Sequence, residues 1–369
     1  MKKNIAYHII SGALYAGAEV MVYNLLQAMH RDSTVDVQAV LFNKGLLFDK
    51  LYASGIPVRV LDERRLNVPQ LSAALRTILA SERPDIVHCH GFKENILSYL
   101  SSLALRIRPR LVATLHGLPE KVNFANNRKY AITMMVNYFL MRRYFSGIIS
   151  VSFDIAQKLE AQYRFSNFKI CVIHNGIRIS SNGLSEPKTT FVIGSAGRLV
   201  AVKNYILLID IANIVCRAEP EIQFVVAGEG PEQVDLQKRI DRLGLQDNVR
   251  LVGFTNDMPG FYRGLSVYIN TSLHEGIPMT ILEAMACGLP VVAPKVGGIR
   301  EIITSDQQGF LIENHSAPEF AEKCLALYHS QKLWGRVSKA AQQRIVDHFH
   351  INSTSKQYAH LYESILTDH

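Results

Sequence analysis

The sequence is poor in cysteine, and none of its cysteines is spaced for a disulfide framework or a zinc site. Its 369 residues include five cysteines and no Cys-x-x-Cys pair. The number is odd, and most of the cysteines lie in apolar contexts, which is typical of reduced core residues in a cytosolic protein. We therefore expect a cytoplasmic location and no cysteine-bound metal.

A stretch long enough to cross a membrane is also missing. No uninterrupted apolar run reaches the roughly 20 residues that a membrane-spanning helix needs. Lys2 and Lys3 precede an apolar segment, as in a signal peptide, but Asn4, Tyr7 and His8 interrupt that segment. Residues 4–10 therefore predict a first β-strand rather than a targeting signal.

Several nucleotide and metal motifs are absent. There is no Asp-x-Asp, so the sequence does not indicate a metal bridged to a diphosphate, and we expect neither a metal nor a cofactor. Gly12 and Gly17 have the glycine spacing of a P-loop, but Ala18 and Glu19 replace the Lys-Ser/Thr that ATP binding needs. The Gly-x-Gly after residue 227 has Gln233 where a dinucleotide site needs its third glycine, which disfavours an oxidoreductase.

Positive charge is concentrated in the first half of the chain. Residues 1–185 contain 23 Lys and Arg against 12 Asp and Glu, whereas the remainder contains 17 against 20. This excess favours an anionic partner for the first half, with plain solubility as the alternative. Because aromatic residues are not interleaved with the basic ones, nucleic acid is not an expected partner. The expected anionic partner is therefore a membrane surface or a lipid phosphate.

The order of apolar runs predicts an α/β protein with two domains. The hydrophobic fraction of 48% is ample for two cores of the usual domain size. Predicted strands are 5–10, 35–42, 58–61, 86–90, 111–115, 147–151, 190–195, 223–227, 249–251, 266–270 and 290–293, and predicted helices of the first half are 18–29, 71–80, 95–104 and 128–144. This alternation indicates two doubly wound, largely parallel sheets, and the polar stretch 179–188 is the predicted linker.

Residues 274–292 are the most informative stretch. Pro278 suits the first turn of a helix, residues 280–287 read as a short apolar helix, and Gly288 suits its end. The start of this helix would present free N–H groups of residues 279–281, which form a ready site for an anion. Glu275 precedes that start and Glu283 lies inside the helix. A nucleotide-sugar has a matching shape, with phosphates in the middle and hydroxyls at both ends.

The Glu-x7-Glu spacing, with Gly-x-Pro inside it and Ala-x-Gly-x-Pro-Val-Val after it, resembles the signature of glycosyltransferase family 4, a family of retaining enzymes with the GT-B fold. The resemblance implies two Rossmann-like, doubly wound domains facing across a cleft. Residues 1–180 would form the acceptor-binding domain, with a last helix at about 350–369 packing back onto it, and residues 181–349 the nucleotide-sugar-binding domain. In the family the first Glu contacts the donor sugar and the second the ribose, which assigns these roles to Glu275 and Glu283.

Further strings resemble elements of the same family. Residues 194–204 are similar to its G-R-L…K-N element, which implies that Arg198 and Lys203 neutralise the departing nucleoside diphosphate. Residues 16–19 resemble its G-G-A-E loop near the donor phosphates, with Ala16 in place of the first glycine and Gly17 kept.

Two strand ends complete the predicted site. Residues 114–117 resemble the T-x-H-G element, which would place His116 near the transferred sugar, and residues 252–255 resemble the segment that contacts the base. The resemblance thus implies catalytic roles for Glu275, His116, Arg198 and Lys203, and donor contacts from Gly17, Arg198, Lys203, Gly253, Phe254, Glu275, Gly276, Ile277, Pro278, Met279, Thr280 and Glu283. His88 and His90 also lie at a strand end, but their spacing is weak evidence for zinc, and a structural role is the main interpretation.

The sequence therefore predicts a metal-independent retaining glycosyltransferase that moves a hexose or N-acetylhexosamine from a nucleotide-sugar, expected to be UDP-linked, to a glycan or lipid-linked acceptor in cell-envelope polysaccharide synthesis. The alternative is a catalytically silent GT-B protein that binds a nucleotide-sugar or acts as a scaffold. Residues 128–143 are apolar between basic ends and could lie on the inner face of the cytoplasmic membrane, or form a buried helix of the first domain.

Overall fold

The computed structural model of the protein describes residues 4–33, 35–118, 128–165, 169–179 and 190–367. Two compact units divide the chain. The N-terminal unit comprises Met1–Arg178 together with Ile351–His369, and the C-terminal unit comprises Ile179–His350. The linker predicted at 179–188 lies outside the described residues, except for Ile179.

The N-terminal unit is built on a seven-stranded parallel sheet. Its strands are β1 (Asn4–Ile10), β2 (Val35–Leu41), β3 (Val58–Val60), β4 (Ile86–Cys89), β5 (Arg110–Leu115), β6 (Gly147–Ser150) and β7 (Ile170–Val172). They lie in the order β3-β2-β1-β4-β5-β6-β7. Its helices are α1 (Gly17–Asp32), α2 (Leu46–Ala53), α3 (Val68–Glu82), α4 (Phe92–Ser102), α5 (Arg128–Tyr144), α6 (Phe153–Tyr163) and the last helix of the chain, Ile351–Thr367.

The C-terminal unit repeats this plan with six parallel strands. They are β8 (Val192–Ala196), β9 (Gln223–Ala227), β10 (Val249–Gly253), β11 (Val267–Ile269), β12 (Val291–Pro294) and β13 (Phe310–Ile312), in the order β10-β9-β8-β11-β12-β13. Its helices are α7 (Tyr205–Ala218), α8 (Gln233–Leu243), α9 (Met258–Arg263), α10 (Met279–Ala286), α11 (Ile299–Ile302), α12 (Ala317–His329) and α13 (Gln331–His348). The last helix of the chain, Ile351–Thr367, is α14.

Both sheets contain the strand order of a doubly wound Rossmann fold, so the predicted fold class is confirmed. The central strands are buried and rich in β-branched residues, because helices cover both faces of a parallel sheet. The sequence did not predict β7 and β13, which are edge strands of three residues each. Among the residues that the structure describes, no helix combines the length and apolar character needed to cross a membrane.

The strand order fixes where each unit can bind a ligand. The order reverses between β1 and β4 in the N-terminal unit, and between β8 and β11 in the C-terminal unit. Ligands of open α/β sheets bind beyond the carboxyl ends of the strands at such a switch point. The loops that follow these four strands are therefore the places to look for a site.

Candidate functional site

The loops that follow β8 and β11 are fastened to one another at the switch point of the C-terminal unit. The loop after β8 ends in a 3-10 turn over Ala201–Lys203. The Thr271 hydroxyl donates to the carbonyl oxygen of Lys203 at 2.9 Å, and the N–H of Leu273 donates to the carbonyl oxygen of Val202 at 2.8 Å. These bonds hold the predicted cation loop beside the loop that carries Glu275.

Glu275 is held by three donors that all reach the same carboxylate oxygen. Its Oε1 lies 2.5 Å from Lys203 Nζ and accepts from the Ser272 hydroxyl at 2.7 Å and from Asn270 Nδ2 at 3.5 Å. Within the described part of the chain, Oε2 forms no hydrogen bond. The carboxylate is thus fixed in position while one oxygen is left for a ligand hydroxyl.

Arg198 provides an exposed cation on the loop after β8. It forms no ion pair with any residue that the structure describes. Gly197 has a φ of 155° and Gly228 a φ of 137°, and a Cβ on Gly228 would lie 1.9 Å from the Gly197 carbonyl oxygen. Only glycines allow this contact, which sets the backbone just before Arg198.

A second pair of glycines supports the loop that carries Glu275. A Cβ on Gly297 would lie 2.0 Å from the carbonyl oxygen of Glu275, and a Cβ on Gly298 would lie 2.1 Å from that of Gly276. The N–H of Gly298 also donates to the Glu275 carbonyl oxygen at 3.2 Å. Sequence reasoning missed these two residues, although two consecutive glycines just before a short helix were a signal for close backbone packing.

The start of α10 lies directly after this loop. Pro278 is the N-cap residue, and Met279 is the first helical residue. The N–H groups of Met279 and Thr280 have no acceptor within the helix, which leaves them for an anion. The N–H of Ile281, in contrast, donates to the Pro278 carbonyl oxygen at 3.2 Å. The expectation of three free N–H groups was therefore wrong for Ile281, because the first turn is tighter than an α-turn.

Glu283 is a partly buried carboxyl group inside α10. Its Oε2 accepts a hydrogen bond of 2.7 Å from the hydroxyl of Tyr262, in α9. Burial raises the pKa of Glu283 to about 7, and the bond from Tyr262 opposes this shift. Among the described residues this carboxyl group forms no ion pair, so its desolvation is unfavourable for folding.

We expect Glu283→Gln to reduce the pH dependence of stability. The folded-state pKa of about 7 exceeds the ordinary value of 4.5, so the stability that Glu283 contributes below pH 4.5 is lost as the pH rises through 7. The difference corresponds to about 3 kcal/mol, at about 1.36 kcal/mol per pKa unit. Gln cannot ionise but can still accept from Tyr262. Denaturant unfolding at several pH values measures how steeply the free energy of unfolding changes with pH.

Glu94 in the N-terminal unit provides a comparison for the effect of Glu283 on the pH dependence of stability. Glu94 is buried, and its pKa is also raised to about 7 by desolvation. Glu283→Gln should therefore reduce the pH dependence of the free energy of unfolding of the C-terminal unit. The pH dependence that Glu94 contributes should be unchanged. An unchanged slope in the Glu283→Gln variant would contradict the prediction.

Gly253 and Phe254 lie at the carboxyl end of β10, two strands away from β8. Gly253 has a φ of 73°, and its carbonyl oxygen accepts from the Gly228 N–H at 2.8 Å. Phe254 is exposed, so its ring is accessible to a planar ligand. The structure thus places these residues on the same edge of the sheet as the loop of Arg198.

In the N-terminal unit, Gly17 is the exposed first residue of α1. Ala16, the departure from the family loop, has a φ of −121°, which is extended backbone open to any residue. The N–H of Ala16 donates to the Glu19 carboxylate at 3.2 Å, which caps the helix. The loop therefore keeps its conformation without the first glycine.

Four histidines are linked at the switch point of the N-terminal unit. His116 directly follows β5, and its Nε2 lies 3.1 Å from Nδ1 of His90. Nε2 of His90 lies 2.9 Å from Nδ1 of His8. His8 is the register partner of His88 across β1 and β4. Sequence reasoning missed His8, which pairing of β1 with β4 would have revealed.

His8, His88 and His90 each offer a ring nitrogen within a group whose members all lie within 4.8 Å of one another, so they could hold a metal ion. In the structure, however, both ring nitrogens of each of the three already have hydrogen-bond partners. Burial lowers the pKa of His8 to about 3 and those of His88 and His90 well below the usual value, so the rings are neutral. The donor set fits a hydrogen-bonded cluster, and the absence of a metal stays a prediction.

The predicted site residues thus fall into two groups. Those of the C-terminal unit come together at the carboxyl ends of its strands: Arg198, Lys203, Gly253, Phe254, Glu275, Gly276, Ile277, Pro278, Met279, Thr280 and Glu283. Gly17 and His116 belong to the N-terminal unit and follow its strands β1 and β5.

Two family profiles match the sequence and together span most of it. The profile described as Glycosyltransferase Family 4 matches residues 15–181, and the one described as Glycosyl transferases group 1 matches residues 177–344. A poly(ribitol-phosphate) alpha-N-acetylglucosaminyltransferase of Staphylococcus aureus is 29% identical over 57% of this chain and 42% of its own length. A UDP-Gal:alpha-D-GlcNAc-diphosphoundecaprenol alpha-1,3-galactosyltransferase of Escherichia coli is 26% identical over 75% of both chains.

Solved structures share the fold over nearly the whole chain. The Anabaena protein HepE, solved in complex with UDP and glucose, superimposes with a TM-score of 0.84 at 23% identity, over 98% of this chain and 100% of its own. A glycosyltransferase from Rickettsia africae has a TM-score of 0.80 at 20% identity, over 100% of both chains. At these identities the likeness concerns the fold.

Proposed function

Because the chain belongs to glycosyltransferase family 4, we propose that it is a retaining glycosyltransferase that moves a hexose or N-acetylhexosamine from a nucleotide-sugar, taken to be a UDP-sugar, to a glycan or lipid-linked acceptor in cell-envelope polysaccharide synthesis. The observation that carries this proposal is the arrangement of Lys203 and Glu275 beside the start of α10, with Arg198 forming no ion pair to any described residue. A diphosphate fits the cations, and a sugar hydroxyl fits the open oxygen of Glu275.

In the proposed mechanism, this arrangement stabilises the leaving group. Arg198 donates to the diphosphate in a forked geometry, Lys203 adds a point charge, and the N–H groups of Met279 and Thr280 add the positive end of α10. Because the negative charge on the diphosphate grows in the transition state, donors fixed in advance lower the barrier. No metal is required in this proposal, since the protein supplies the positive field.

The proposed reaction exchanges one C–O bond for another on the same face of the sugar. The bond between the anomeric carbon and the β-phosphate oxygen breaks, and the acceptor oxygen bonds to that carbon. The departing phosphate oxygen takes the acceptor proton. Glu275 orients the sugar through a hydroxyl, and Glu283 binds the ribose hydroxyls.

The activities named for the relatives support the choice of substrates. The S. aureus relative transfers N-acetylglucosamine to poly(ribitol-phosphate), and the E. coli relative uses UDP-Gal and a diphosphoundecaprenol-linked acceptor. HepE was solved with UDP and glucose. A UDP-hexose or UDP-N-acetylhexosamine is therefore the first donor class to test, and a polyprenyl-diphosphate-linked sugar is the first acceptor class.

Thermal-shift measurements against a panel of nucleotide-sugars test the donor. A donor at about 100 times its Kd stabilises the protein by about 2.7 kcal/mol. Nucleotide-sugars with other bases are the controls and should not raise the melting temperature. Transfer is then measured with the stabilising donor and a polyprenyl-diphosphate-linked acceptor, and NMR of the product gives the anomeric configuration. A donor that binds but is neither transferred nor hydrolysed would favour the catalytically silent alternative. An inverted product would contradict the retaining mechanism.

We also propose that the protein is cytoplasmic and contacts the inner face of the membrane through α5. One face of α5 packs in the N-terminal unit, through residues such as Tyr138 and Met141. The opposite face exposes apolar side chains at helical spacing: Ile132 (61%), Met135 (68%), Val136 (41%) and Phe139 (53%). Exposed basic residues flank this face at both ends: Arg128, Lys129, Arg142 and Arg143. An apolar face with basic ends fits an anionic lipid interface.

Vesicle co-sedimentation tests this contact. Met135→Asp and Phe139→Asp together should weaken binding to vesicles containing phosphatidylglycerol at least tenfold, since each large apolar side chain that leaves the interface loses roughly 1.5–3 kcal/mol. Val234→Asp is the matched control, because Val234 is 64% exposed on α8 in the C-terminal unit. Binding that is equal for phosphatidylcholine and phosphatidylglycerol vesicles, or equal in both variants, would contradict the proposal.

A further inference from the structure

A continuous chain of hydrogen bonds runs through the interior of the N-terminal unit and ends at His116. We call it the imidazole chain, and its members in order are Tyr358, Thr114, His88, Tyr362, His8, His90 and His116. The two tyrosines come from α14, the others from β1, β4 and β5 or the residues that follow them. All members are buried apart from His116, which is partly buried.

Six contacts connect these seven side chains without a gap. In order they are Tyr358 hydroxyl to Thr114 hydroxyl (3.3 Å), Thr114 hydroxyl to His88 Nε2 (2.7 Å), His88 Nδ1 to Tyr362 hydroxyl (2.5 Å), Tyr362 hydroxyl to His8 Nε2 (3.2 Å), His8 Nδ1 to His90 Nε2 (2.9 Å) and His90 Nδ1 to His116 Nε2 (3.1 Å). Every imidazole therefore has one neighbour at each nitrogen, except His116.

The members cannot choose their tautomers independently. A neutral imidazole donates from one nitrogen and accepts at the other, so the direction of one bond fixes the direction of the next. The four rings are neutral because burial lowers the pKa of His8 to about 3, that of His116 to about 4, and those of His88 and His90 well below the usual value. When the Tyr362 hydroxyl also donates to one of its two neighbouring rings, two directions satisfy all four rings: every bond donated towards His116, or every bond donated away from it.

The two directions differ at the tyrosine end of the chain. If the bonds point towards His116, the Tyr358 hydroxyl donates to Thr114, and the Thr114 hydroxyl donates to His88. Both hydroxyl hydrogens then have acceptors. If the bonds point away, His88 Nε2 donates to Thr114, and only one of the two hydroxyl hydrogens finds an acceptor within the imidazole chain. The direction towards His116 therefore pairs both hydroxyl hydrogens and leaves its one unpaired hydrogen on Nδ1 of His116, where a ligand can accept it, whereas the opposite direction leaves a buried hydroxyl hydrogen unpaired.

The other end of the chain is open. Nδ1 of His116 is buried and has no hydrogen-bond partner among the described residues. Buried polar atoms without a partner are rare in folded proteins, and each one calls for an explanation such as a bound ligand. In the preferred direction this nitrogen carries a hydrogen, so the partner that it lacks is an acceptor.

We propose that the imidazole chain holds His116 as the Nδ1–H tautomer, so that His116 donates a hydrogen bond to an oxygen of a bound ligand. This inference rests on the proposed function for the class of that ligand, which is a sugar, with a hydroxyl oxygen as the acceptor. His8, His88, His90, Tyr362 and Thr114 are then positioning residues: they touch no ligand, but they set which nitrogen of His116 carries the hydrogen.

Nitrogen NMR of the protein labelled with ¹⁵N-histidine tests the tautomers directly and without any substrate. Long-range ¹H–¹⁵N correlations distinguish a protonated ring nitrogen from a bare one. All four histidines of the imidazole chain should be Nδ1–H tautomers in the unmodified protein. Four Nε2–H tautomers would show the opposite direction and overturn the proposal, and so would positively charged rings.

Two tyrosines one helical turn apart on α14 provide matched variants. Tyr362→Phe removes the link between His88 and His8, so neither direction is preferred and both tautomers of His116 should be populated. Tyr358→Phe removes only the first donor, and Thr114 can still donate to His88, so all four rings should remain Nδ1–H. A general disturbance of the core would affect both variants alike. If Tyr362→Phe does not fold, the unmodified protein and Tyr358→Phe still decide the tautomers.

Activity provides a second readout that separates this inference from the proposed function. Tyr362→Phe should lower kcat/KM with the identified donor about two- to tenfold, and Tyr358→Phe should leave it unchanged. Nδ1–H tautomers in a protein that transfers no sugar would refute the proposed function and keep the inference. Nε2–H tautomers in an active enzyme would refute the inference and keep the proposed function.

Discussion

Arg198→Ala is expected to lower turnover by about 10²–10³-fold, because one preorganised donor to a developing oxyanion contributes about 3 kcal/mol to the barrier. The same change should leave the melting temperature unaffected. Arg198 is exposed, and with the residues that the structure describes its side chain forms neither an ion pair nor a hydrogen bond that truncation would break. Steady-state kinetics with the identified donor and calorimetry of the same samples measure the two effects.

Arg336→Ala is the matched control for this prediction. Arg336 is also an exposed arginine of the C-terminal unit, but it lies on α13, away from the carboxyl ends of the strands. Its replacement should change neither turnover nor the melting temperature. Equal losses of rate and stability in Arg198→Ala would show that Arg198 is structural, and an unchanged rate would remove it from the mechanism.

Gly298→Ala is expected to destabilise the C-terminal unit by about 3 kcal/mol or more and to abolish donor binding. Gly298 has an ordinary φ of −74°, so the backbone itself tolerates alanine. The added Cβ would lie 2.1 Å from the carbonyl oxygen of Gly276, which must move away. Because Gly276 directly follows Glu275 and precedes the start of α10, this movement displaces the carboxylate and the helix start together.

Gly335→Ala provides the corresponding control. Gly335 lies inside α13, and a Cβ there meets no atom within 4 Å. Alanine should therefore stabilise the helix by roughly 0.5–1 kcal/mol and leave donor binding intact. Denaturant unfolding and isothermal titration with the donor test both variants. Normal donor affinity in Gly298→Ala would show that the loop of Glu275 does not depend on this contact.

Much of the C-terminal site could be predicted from the sequence because its parts are local. The helix predicted at 280–287 is observed at Met279–Ala286, and Glu275, Pro278 and Glu283 occupy fixed places relative to its start. The strand Gln223–Ala227 was predicted with its observed bounds. Helix starts, glycine turns and buried strands are encoded in a few adjacent residues, so a single sequence is sufficient to find them.

Contacts between distant segments could not be predicted in the same way. The pairing of Lys203 with Glu275 spans 72 residues, and that of Tyr362 with His88 spans 274. Nothing near His8 in the sequence marks it as a partner of His88; the pairing of β1 with β4 makes it one. The support that Gly297 and Gly298 give to the loop of Glu275 was missed for the same reason.

Local patterns in the sequence were enough to predict the alternation of strands and helices and the start of α10, and to propose residue types that suit a nucleotide-sugar. Three features needed the tertiary structure: which oxygen of Glu275 is open, that Lys203 but not Arg198 forms an ion pair with a described residue, and that four histidines form one chain ending at a nitrogen with no partner in the described part of the protein. The physical reason is that backbone propensity and capping act over a few residues. Charge pairing, desolvation and tautomer choice depend instead on which strands the fold makes neighbours.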